Sequence, residues 1–511
     1  MEILGLVDVP TWLLVIILMP VLHVIYMTWG FNKFKDMGID GPAPNPFFGH
    51  FHSLFFTRGM MNCDRDWYKT YDKVYGTFEG KYAVLNIGKP ELIKEILVKD
   101  FSSFVNRRDD FNAALEEPMD QMLTQLQNDH WKFVRRTLTP GFSGRKLRGM
   151  TDLINLAIER LLEKLKDKVN KGEDVELKEW FEAYTLESLS STAFGMQIDS
   201  QKNPDNPFLV TIKKFIKPSI KNFLILITVF YPFTASLVRR ISARNDWCKV
   251  FTDAVLQTIK HREENPGDYT DLLQQMIDSQ KAGKAGSDDE DNNEDNEATR
   301  TTWTRKGLTE HEICSQSLLI FFAGYFTTTN LLTCLLHQMA IDPETCNKAQ
   351  QEIDDQLDGI RPNYENVRKL SYLEMCISEI LRLHPITRTD RSASKDVTIG
   401  NIFIKKGTTV AIPIGAIHYD ENLWPDPEKF IPERFTPEAK AARDPFAYLP
   451  FGHGPRNCIG NRLALMQAKM TVASILQKYT PVKSEKTKIP ININTRQWSP
   501  LDNWIRFESR S

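Results

Sequence analysis

The stretch that decides the fold is FGHGPRNCIG, residues 451–460. One cysteine, Cys458, lies there among three glycines, directly before a helix-like run. It could be buried filler, half of a disulfide, a nucleophile or a metal ligand. The seven cysteines of this 511-residue chain are scattered, with no CxxC pair and no Cys/His cluster. A disulfide framework or a zinc site is therefore not indicated.

The surroundings of Cys458 suit a thiolate ligand. A thiolate needs groups that stabilise negative charge, and the N–H groups of a glycine-rich turn provide them. A helix expected to begin near Gly460 would direct its positive end at the same place. The glycines let the backbone approach a flat, bulky group, and Arg456 offers a fork that pairs with carboxylates. Haem, ligated by thiolate and with its propionates held by arginine, fits this pattern.

Composition and periodicity predict a helix-rich globular protein. The chain is 41% apolar and 25% charged with a net charge of −2, so nothing indicates nucleic acid as a bulk partner. Apolar spacing predicts a helix over 153–169 and a longer one over 309–341. Thr309 and Glu312 form a capping box for the longer helix.

A second capping box, Ser371 to Glu374, predicts a helix that runs to His384-Pro385. Strands are predicted over 82–87 and within 397–413, with a turn at Gly400-Asn401. Many helices and few strands predict a mainly α (α+β) fold.

The N-terminus departs from this picture. Residues 12–29 carry no charge, are just long enough to span a bilayer and have tryptophan at both ends. A signal peptide is the alternative, but no basic segment precedes the run and no small-residue cleavage site follows it. Lys33 and Lys35 follow the run, which predicts that the rest of the chain lies in the cytosol.

The predicted organisation has three parts. Residues 1–32 form a transmembrane anchor, residues 33–50 a semi-rigid Pro/Gly-rich hinge, and residues 51–511 the catalytic domain. Within this domain, residues 281–302 form a flexible acidic loop, favoured as a surface insertion over a linker or a partner-docking face. The apolar run 223–233 is too short to span a membrane, so it is either core or a surface element that dips into the bilayer.

Five positions of the opening stretch resemble the haem-binding signature of the cytochrome P450 superfamily, namely Phe451, Gly454, Arg456, Cys458 and Gly460. The stretches WKFVRRTLTPGFSGRKL and FFAGY are most similar to family 3 of the cytochromes P450 and its clan, which includes thromboxane synthase. The resemblance implies the cytochrome P450 fold, a helix-rich domain with small β-sheets that enclose haem b.

The same resemblance assigns roles to further residues. In EILR, Glu379 and Arg382 match the family's E-x-x-R, and PERF supplies Arg434, which together imply a buried ion network behind the haem. In HWKFVRR, Trp131 and Arg135 lie four residues apart on a helix, so both can reach one propionate. A further propionate ligand implied by the resemblance is Arg388.

The stretch FFAGYFTTTN, residues 321–330, resembles the family's oxygen-side pattern [AG]-G-x-[DE]-T-[TS]. The implied catalytic positions are Gly324, Thr327 and Thr328, with a groove for dioxygen and a threonine that helps to deliver protons. Phe326, however, occupies the acidic position, and phenylalanine cannot relay a proton.

The expected function is a haem-thiolate monooxygenase that acts on an apolar steroid, lipid or xenobiotic at the endoplasmic reticulum membrane. No Rossmann or flavin fingerprint is present, so NADPH is expected to act through cytochrome P450 reductase, with cytochrome b5 as a further partner. Because of Phe326, a peroxide isomerase or lyase that needs no reductase is the alternative, and a haem sensor or carrier is a third. Candidate substrate contacts are Phe111, Leu115 and Phe322, for which core packing is the competing explanation.

Overall fold

The computed structural model describes residues 2–3, 7–8, 11–109, 115, 117–203, 205–216, 220–242, 246–285, 305–386, 388–494 and 499–510. Helices dominate, which confirms the predicted fold class. Their bounds are α1 Thr11–Thr28, α2 Met60–Thr70, α3 Pro90–Lys94, α4 Asn128–Leu138, α5 Gly144–Asn170, α6 Leu177–Phe194, α7 Pro207–Ile216, α8 Ile220–Phe230, α9 Ala235–Ser242, α10 Asp246–Glu264, α11 Leu272–Ala285, α12 Glu310–Ile341, α13 Pro343–Leu357, α14 Ser371–Leu383, α15 Ile414–His418, α16 Pro437–Ala442 and α17 Asn461–Leu476.

The strands form small sheets at the edges of the helical body. Their bounds are β1 Glu2–Ile3, β2 Val7–Asp8, β3 Val74–Glu79, β4 Tyr82–Ile87, β5 Val175–Glu176, β6 Thr389–Ser392, β7 Val397–Ile399, β8 Ile402–Ile404, β9 Thr409–Ile412, β10 Tyr479–Val482, β11 Ile493–Asn494, β12 Ser499–Pro500 and β13 Trp504–Ser509. The largest sheet has the order β3-β4-β9-β6, in which β4 and β9 are parallel and the other neighbours antiparallel. The predicted strand over 82–87 and the turn at Gly400 are confirmed.

Helix α12 is the centre of the fold, and its start is the predicted capping box. The Thr309 hydroxyl accepts from the Glu312 N–H at 3.1 Å, and the Glu312 carboxylate accepts from the Thr309 N–H at 2.8 Å. Phe321 stacks on Phe194 at 4.5 Å and meets Phe251 edge-on at 4.8 Å. These aromatic contacts pack the middle of α12 against α6 and α10.

The Glu312 side chain is fully buried, so its charge needs partners. It also accepts hydrogen bonds from His130, at 2.5 Å, and from Arg305. Burial raises the pKa of Glu312, but the hydrogen bonds from His130, Thr309 and Arg305 outweigh it and lower the pKa to about 2. The start of α12 is therefore tied to α4 through an ionised carboxylate.

The predicted capping box of α14 is wrong. Ser371 is already helical, and Leu370 is the N-cap without a side-chain bond. Instead, the carboxylate of Glu352 on α13 accepts from the Ser371 hydroxyl at 3.0 Å and from the N–H groups of Tyr372 and Leu373 at 2.6 and 2.9 Å. A carboxylate on a packed helix satisfies the free N–H groups that a local serine would otherwise cap.

Helix α1 is exposed in its middle, and its C-terminal part packs against the rest of the protein. Residues 16–22 are all exposed, whereas Met27 is fully buried. His23 bonds the Tyr231 hydroxyl through Nδ1 at 2.6 Å and the Phe47 carbonyl through Nε2 at 2.8 Å. Among the described residues, α12 alone is long and apolar enough to cross a membrane by length and composition, and it is the core helix. The N-terminal span stays a prediction.

Part of the Pro/Gly-rich segment, predicted as a semi-rigid hinge, packs against the body of the protein. Ile39 is buried, and the carbonyl of Asp40 accepts from the Gly76 N–H at 2.9 Å. A Cβ at Gly41 would lie 2.2 Å from the Gly76 oxygen, so only glycine allows this approach. The segment therefore packs on β3 because its glycines permit close backbone contact.

The apolar run 223–233 and the acidic loop are the remaining predictions. In the run 223–233, Val229 is buried while Phe233 is 74% exposed, so the run has both a core side and a free side. Of the predicted acidic loop 281–302, only residues 281–285 lie within the described residues, as the end of α11.

Candidate active site

The loop that carries Cys458 is folded by hydrogen bonds within the signature stretch. The Cys458 N–H donates to the Phe451 carbonyl at 2.8 Å, and the Asn457 N–H to the Gly454 carbonyl at 3.0 Å. Gly454 has φ +74°, and a Cβ there would lie 2.0 Å from the Leu97 oxygen. Glycine is therefore required at this position. Gly460 is the N-cap of α17 with ordinary clearance of 3.7 Å to Phe142, so the predicted helix start is confirmed.

Cys458 differs from the other cysteines of the chain. All seven are free thiols, and Cys458 is exposed whereas the other six are buried. Enclosure by the protein raises the pKa of the Cys458 thiol, while the Gly460 and Asn461 N–H groups and the charge of Arg135 lower it. The Cys458 thiol is enclosed yet keeps accessible surface, so it is a candidate ligand rather than core filler.

A second accessible strip lies on α12. Ala323 and Thr327, one turn apart, are exposed in the middle of a helix that is otherwise largely buried. The Thr327 hydroxyl donates to the Ala323 carbonyl at 2.6 Å, and Thr328 is buried. This strip therefore leaves the side chains of Ala323 and Thr327 accessible in the middle of α12.

The other distal positions pack against protein. A Cβ at Gly324 would lie 2.8 Å from Leu189 Cδ1, so close contact between α12 and α6 accounts for glycine there. The dioxygen groove stays a prediction. Phe326 and Phe322 are half-buried against the core, and Leu115 is half-buried, while Phe111 lies outside the described residues.

Arg456 is buried without enough partners. Its Nη2 donates to the Leu126 carbonyl at 2.6 Å, and its guanidinium lies 4.2 Å from the Trp131 ring centre. Its Nε and Nη1 are buried and have no hydrogen-bond partner. Burial, with the nearby charges of Arg107 and Arg391, lowers the pKa of Arg456 to about 8. Buried cationic donors without partners are expected to bind an anion, such as a carboxylate.

Arg391 is a candidate site residue that the sequence analysis missed. It is 1% exposed on β6, donates from Nη1 to the Asp390 carbonyl at 2.6 Å, and has a buried Nε without a partner. Burial and the charge of Arg107 lower the pKa of Arg391 to about 9. The available signal was an arginine at an inward-facing position of a short strand, where a charge requires a partner.

Arg135 ties α4 to the cysteine loop. It donates from Nη1 to the Asn457 carbonyl and from Nη2 to the Asn457 side-chain oxygen, both at 2.8 Å. The structure thus brings Trp131 and Arg135, both implied by the family resemblance, to the neighbourhood of Arg456 and Cys458.

The structure does not bring Arg388 to this group. Its Nε donates to Asp64 at 2.5 Å, its Nη1 to Glu79 at 2.6 Å, and its Nη2 to Asp64. The two buried carboxylates occupy all three nitrogens of the guanidinium. Arg388 therefore has no free donor, whereas Arg391, three residues later on β6, has a buried Nε without a partner.

The predicted ion network is assembled. Glu379 and Arg382 are fully buried and form a two-point pair at 2.7 and 2.8 Å. Arg434 lies 3.3 Å from the same carboxylate, and Arg382 also donates to the His418 carbonyl at 2.8 Å. Every charge has a partner, which is typical of a structural cluster.

Haem fits the residues present. The site combines one enclosed but accessible thiol, a strip of accessible helix surface, and two buried guanidinium groups with unpartnered donors. A haem offers one iron for the thiolate and two propionates for the arginines. Guanidinium groups that depress each other's pKa are stabilised when carboxylates lie between them.

The comparisons with known proteins agree with this geometry. The family model "Cytochrome P450" matches residues 39–500. Cytochrome P450 3A40 of Oryzias latipes is 38% identical over 95% of this chain and 94% of its own length. Cytochrome P450 3A14 of Cavia porcellus and cytochrome P450 3A5 of Homo sapiens are each 35% identical over 97% of this chain and 95% of their own length. The chain belongs to the cytochrome P450 family and is a haem-thiolate monooxygenase.

Proposed function

We propose that this monooxygenase inserts one atom of dioxygen into an apolar steroid, lipid or xenobiotic, with haem b as its cofactor. The observation that carries the proposal is the pair Arg456 and Arg391, whose buried donors lack protein partners beside the loop of Cys458. Such donors are costly unless an anion reaches them, so they favour a bound dicarboxylate over an apolar ligand.

On the proximal side, the residues bind and orient. Cys458 would ligate the haem iron as a thiolate, and Arg456 and Arg391 would hold the propionates. Arg135 keeps the cysteine loop against α4 through Asn457. Bound in this way, haem supplies the activation of dioxygen. Glu379, Arg382 and Arg434 keep the underlying helix in place and touch no reacting atom.

On the distal side, Thr327 holds a proton at Oγ1. This hydroxyl donates to the Ala323 carbonyl, and its lone pairs remain able to accept from water. Gly324 and Thr328 complete the distal motif, Gly324 by letting α6 approach and Thr328 from the buried side of the helix. Because Phe326 carries no proton, delivery depends on water at Thr327.

Electrons are supplied by partners. NADPH-cytochrome P450 reductase, with cytochrome b5 as a second donor, is proposed as the source, because the sequence carries no dinucleotide fingerprint. The docked α1 helix, whose residues 16–22 are exposed and apolar, supports attachment as a single-pass protein of the endoplasmic reticulum with the catalytic domain in the cytosol.

The test is a spectral binding screen of steroids, fatty acids and xenobiotics on the purified holoenzyme, followed by turnover of each ligand with reductase and NADPH. We expect at least one apolar ligand to shift the haem spectrum and to be hydroxylated. The Cys458→Ser variant is the matched control and should give neither signal. Ligands that bind but are never oxygenated would contradict the proposal.

Phe326 favours a second candidate function, the rearrangement of an organic peroxide. A peroxide brings oxygen that is already reduced, so no acid is needed for proton delivery. An endoperoxide should then be converted with neither NADPH nor reductase present. A strict requirement for both components removes this candidate.

A further inference from the structure

Asn106 lies at the junction of the three chain segments that surround the arginine cluster. It follows the short helical turn Phe101–Phe104 and directly precedes Arg107. The charge of Arg107 lowers the pKa of Arg135, Arg391 and Arg456 alike, which places it among them. Asn106 is half-buried, and each of its polar groups on the side chain has a partner.

The side chain of Asn106 joins this segment to α4. Its Nδ2 donates to Asn128 Oδ1 at 2.8 Å, and its Oδ1 accepts from the Asn128 N–H at 2.7 Å. Asn128 is the first residue of α4 and has φ +49°. Because the local N-cap Gln127 makes no side-chain bond, Asn106 supplies the cap from a distant segment.

The backbone of Asn106 joins the same segment to β6. Its carbonyl accepts from the Ser392 N–H at 2.8 Å, as part of an isolated antiparallel bridge. Ser392 follows Arg391 directly. Two residues further, the Ser394 N–H donates to the Ser103 carbonyl at 2.9 Å, which continues the contact on the other side of Asn106.

We propose that Asn106 is a positioning residue that sets the spacing of the propionate-binding groups. Through it, the segment of Arg107, the helix of Trp131 and Arg135, and the strand of Arg391 meet at one point. The inference rests on the assignment of this cluster to the propionates made above. Asn106 itself touches neither the cofactor nor the reacting atoms.

Substitution of Asn106 should loosen the cofactor more than the fold. Asn106→Ala removes both side-chain bonds and keeps the backbone bond to Ser392. Losing two hydrogen bonds between neutral groups corresponds to roughly tenfold faster haem transfer to apomyoglobin. The matched control is Asn363→Ala. Asn363→Ala likewise removes two side-chain hydrogen bonds, because Asn363 Oδ1 accepts from the Glu365 and Asn366 N–H groups, which lie outside the arginine cluster.

A double-mutant cycle tests the partner. Asn128→Gly tolerates the positive φ and removes only the Oδ1 acceptor, so its effect on haem loss should be smaller than that of Asn106→Ala. In the Asn106→Ala background it should add nothing, because the bond it removes is already absent. Additive effects would overturn the pairing.

The readouts separate a positioning role from a merely structural one. We expect similar thermal unfolding temperatures for the Asn106→Ala and Asn363→Ala variants, but faster haem loss for the first alone. Equal haem-loss rates for the two variants, or no change in either, overturn the proposal.

A cofactor-independent readout is hydrogen exchange of the haem-free protein. Asn106→Ala should raise exchange at the start of α4, and Asn363→Ala should not. A wild-type protein that takes up no haem would remove the proposed function. The exchange result would still decide whether Asn106 holds α4.

Discussion

The two sides of the proposed site differ in chemistry: the cofactor side, around Cys458 and Arg456, is charged, and the oxygen side, around Thr327 of α12, is largely apolar. The cofactor side contains buried guanidinium groups, a hydrogen-bonded glycine loop and a thiol. Three guanidinium nitrogens there, on Arg456 and Arg391, have no hydrogen-bond partner. On the oxygen side, α12 offers one exposed hydroxyl, Thr327, which bonds its own helix, and a phenylalanine in place of an acid. In the proposed mechanism, the residues that hold the cofactor therefore differ from those that direct its chemistry.

The largest effect is expected from removing the ligand on the cofactor side. Cys458→Ser replaces a thiol by a hydroxyl that does not ionise at neutral pH. The reduced carbonyl complex should lose its thiolate spectrum, and turnover should disappear. Cys346→Ala, at a buried cysteine elsewhere in the core, should retain both. A Cys458→Ser protein with an unchanged spectrum would show that another residue is the ligand.

The next prediction distinguishes the roles of Arg388 and Arg391. Arg391→Ala removes an unpartnered donor and should speed haem loss about ten- to hundredfold, the effect of one charged hydrogen bond. Arg388→Ala instead leaves Asp64 and Glu79 without that cation, and should lower the free energy of unfolding by about 3–5 kcal/mol. Haem-transfer kinetics and urea unfolding measure the two effects. If the two variants exchange phenotypes, Arg388 binds the propionate.

On the oxygen side, the start of α12 should respond to acid. The pKa of Glu312 falls from 4.5 to about 2 in the folded protein. Its ionised form therefore stabilises the fold above the unfolded-state pKa, by on the order of 3 kcal/mol, and this contribution declines as pH falls from about 4.5 to about 2. Urea unfolding of wild type and Glu312→Gln should differ most near neutral pH and converge in acid. A gap that is constant with pH would contradict an ionised Glu312.

The smallest effect is expected at Phe326. Phe326→Glu restores an acid to the oxygen side and should raise NADPH-dependent turnover a few-fold, with less hydrogen peroxide released per NADPH consumed. Phe326→Gln, similar in size without a proton to give, is the control. Equal rates in all three proteins would mean that proton delivery through this position does not limit turnover.

The site could be predicted from the sequence where its parts are close together in the chain. The Cys458 loop and the Glu379–Arg382 pair are contacts over ten residues or fewer, and the structure assembles both. Trp131 and Arg135 each meet that loop, Trp131 at Arg456 and Arg135 at Asn457. Choosing between Arg388 and Arg391 was not possible in this way. That choice depends on Asp64 and Glu79, more than 300 residues away, which occupy the first arginine and leave the second available.

The cap of α14 also depends on a residue from another part of the chain, Glu352 of α13. The helix that carries Glu379 begins on a carboxylate of α13, Glu352, so its first turn is completed only when the two helices are already packed. A peptide of residues 371–383 alone would lack this cap and should be poorly helical in water. The ion network of Glu379 therefore depends on the packing of α13 against α14, and not on α14 alone.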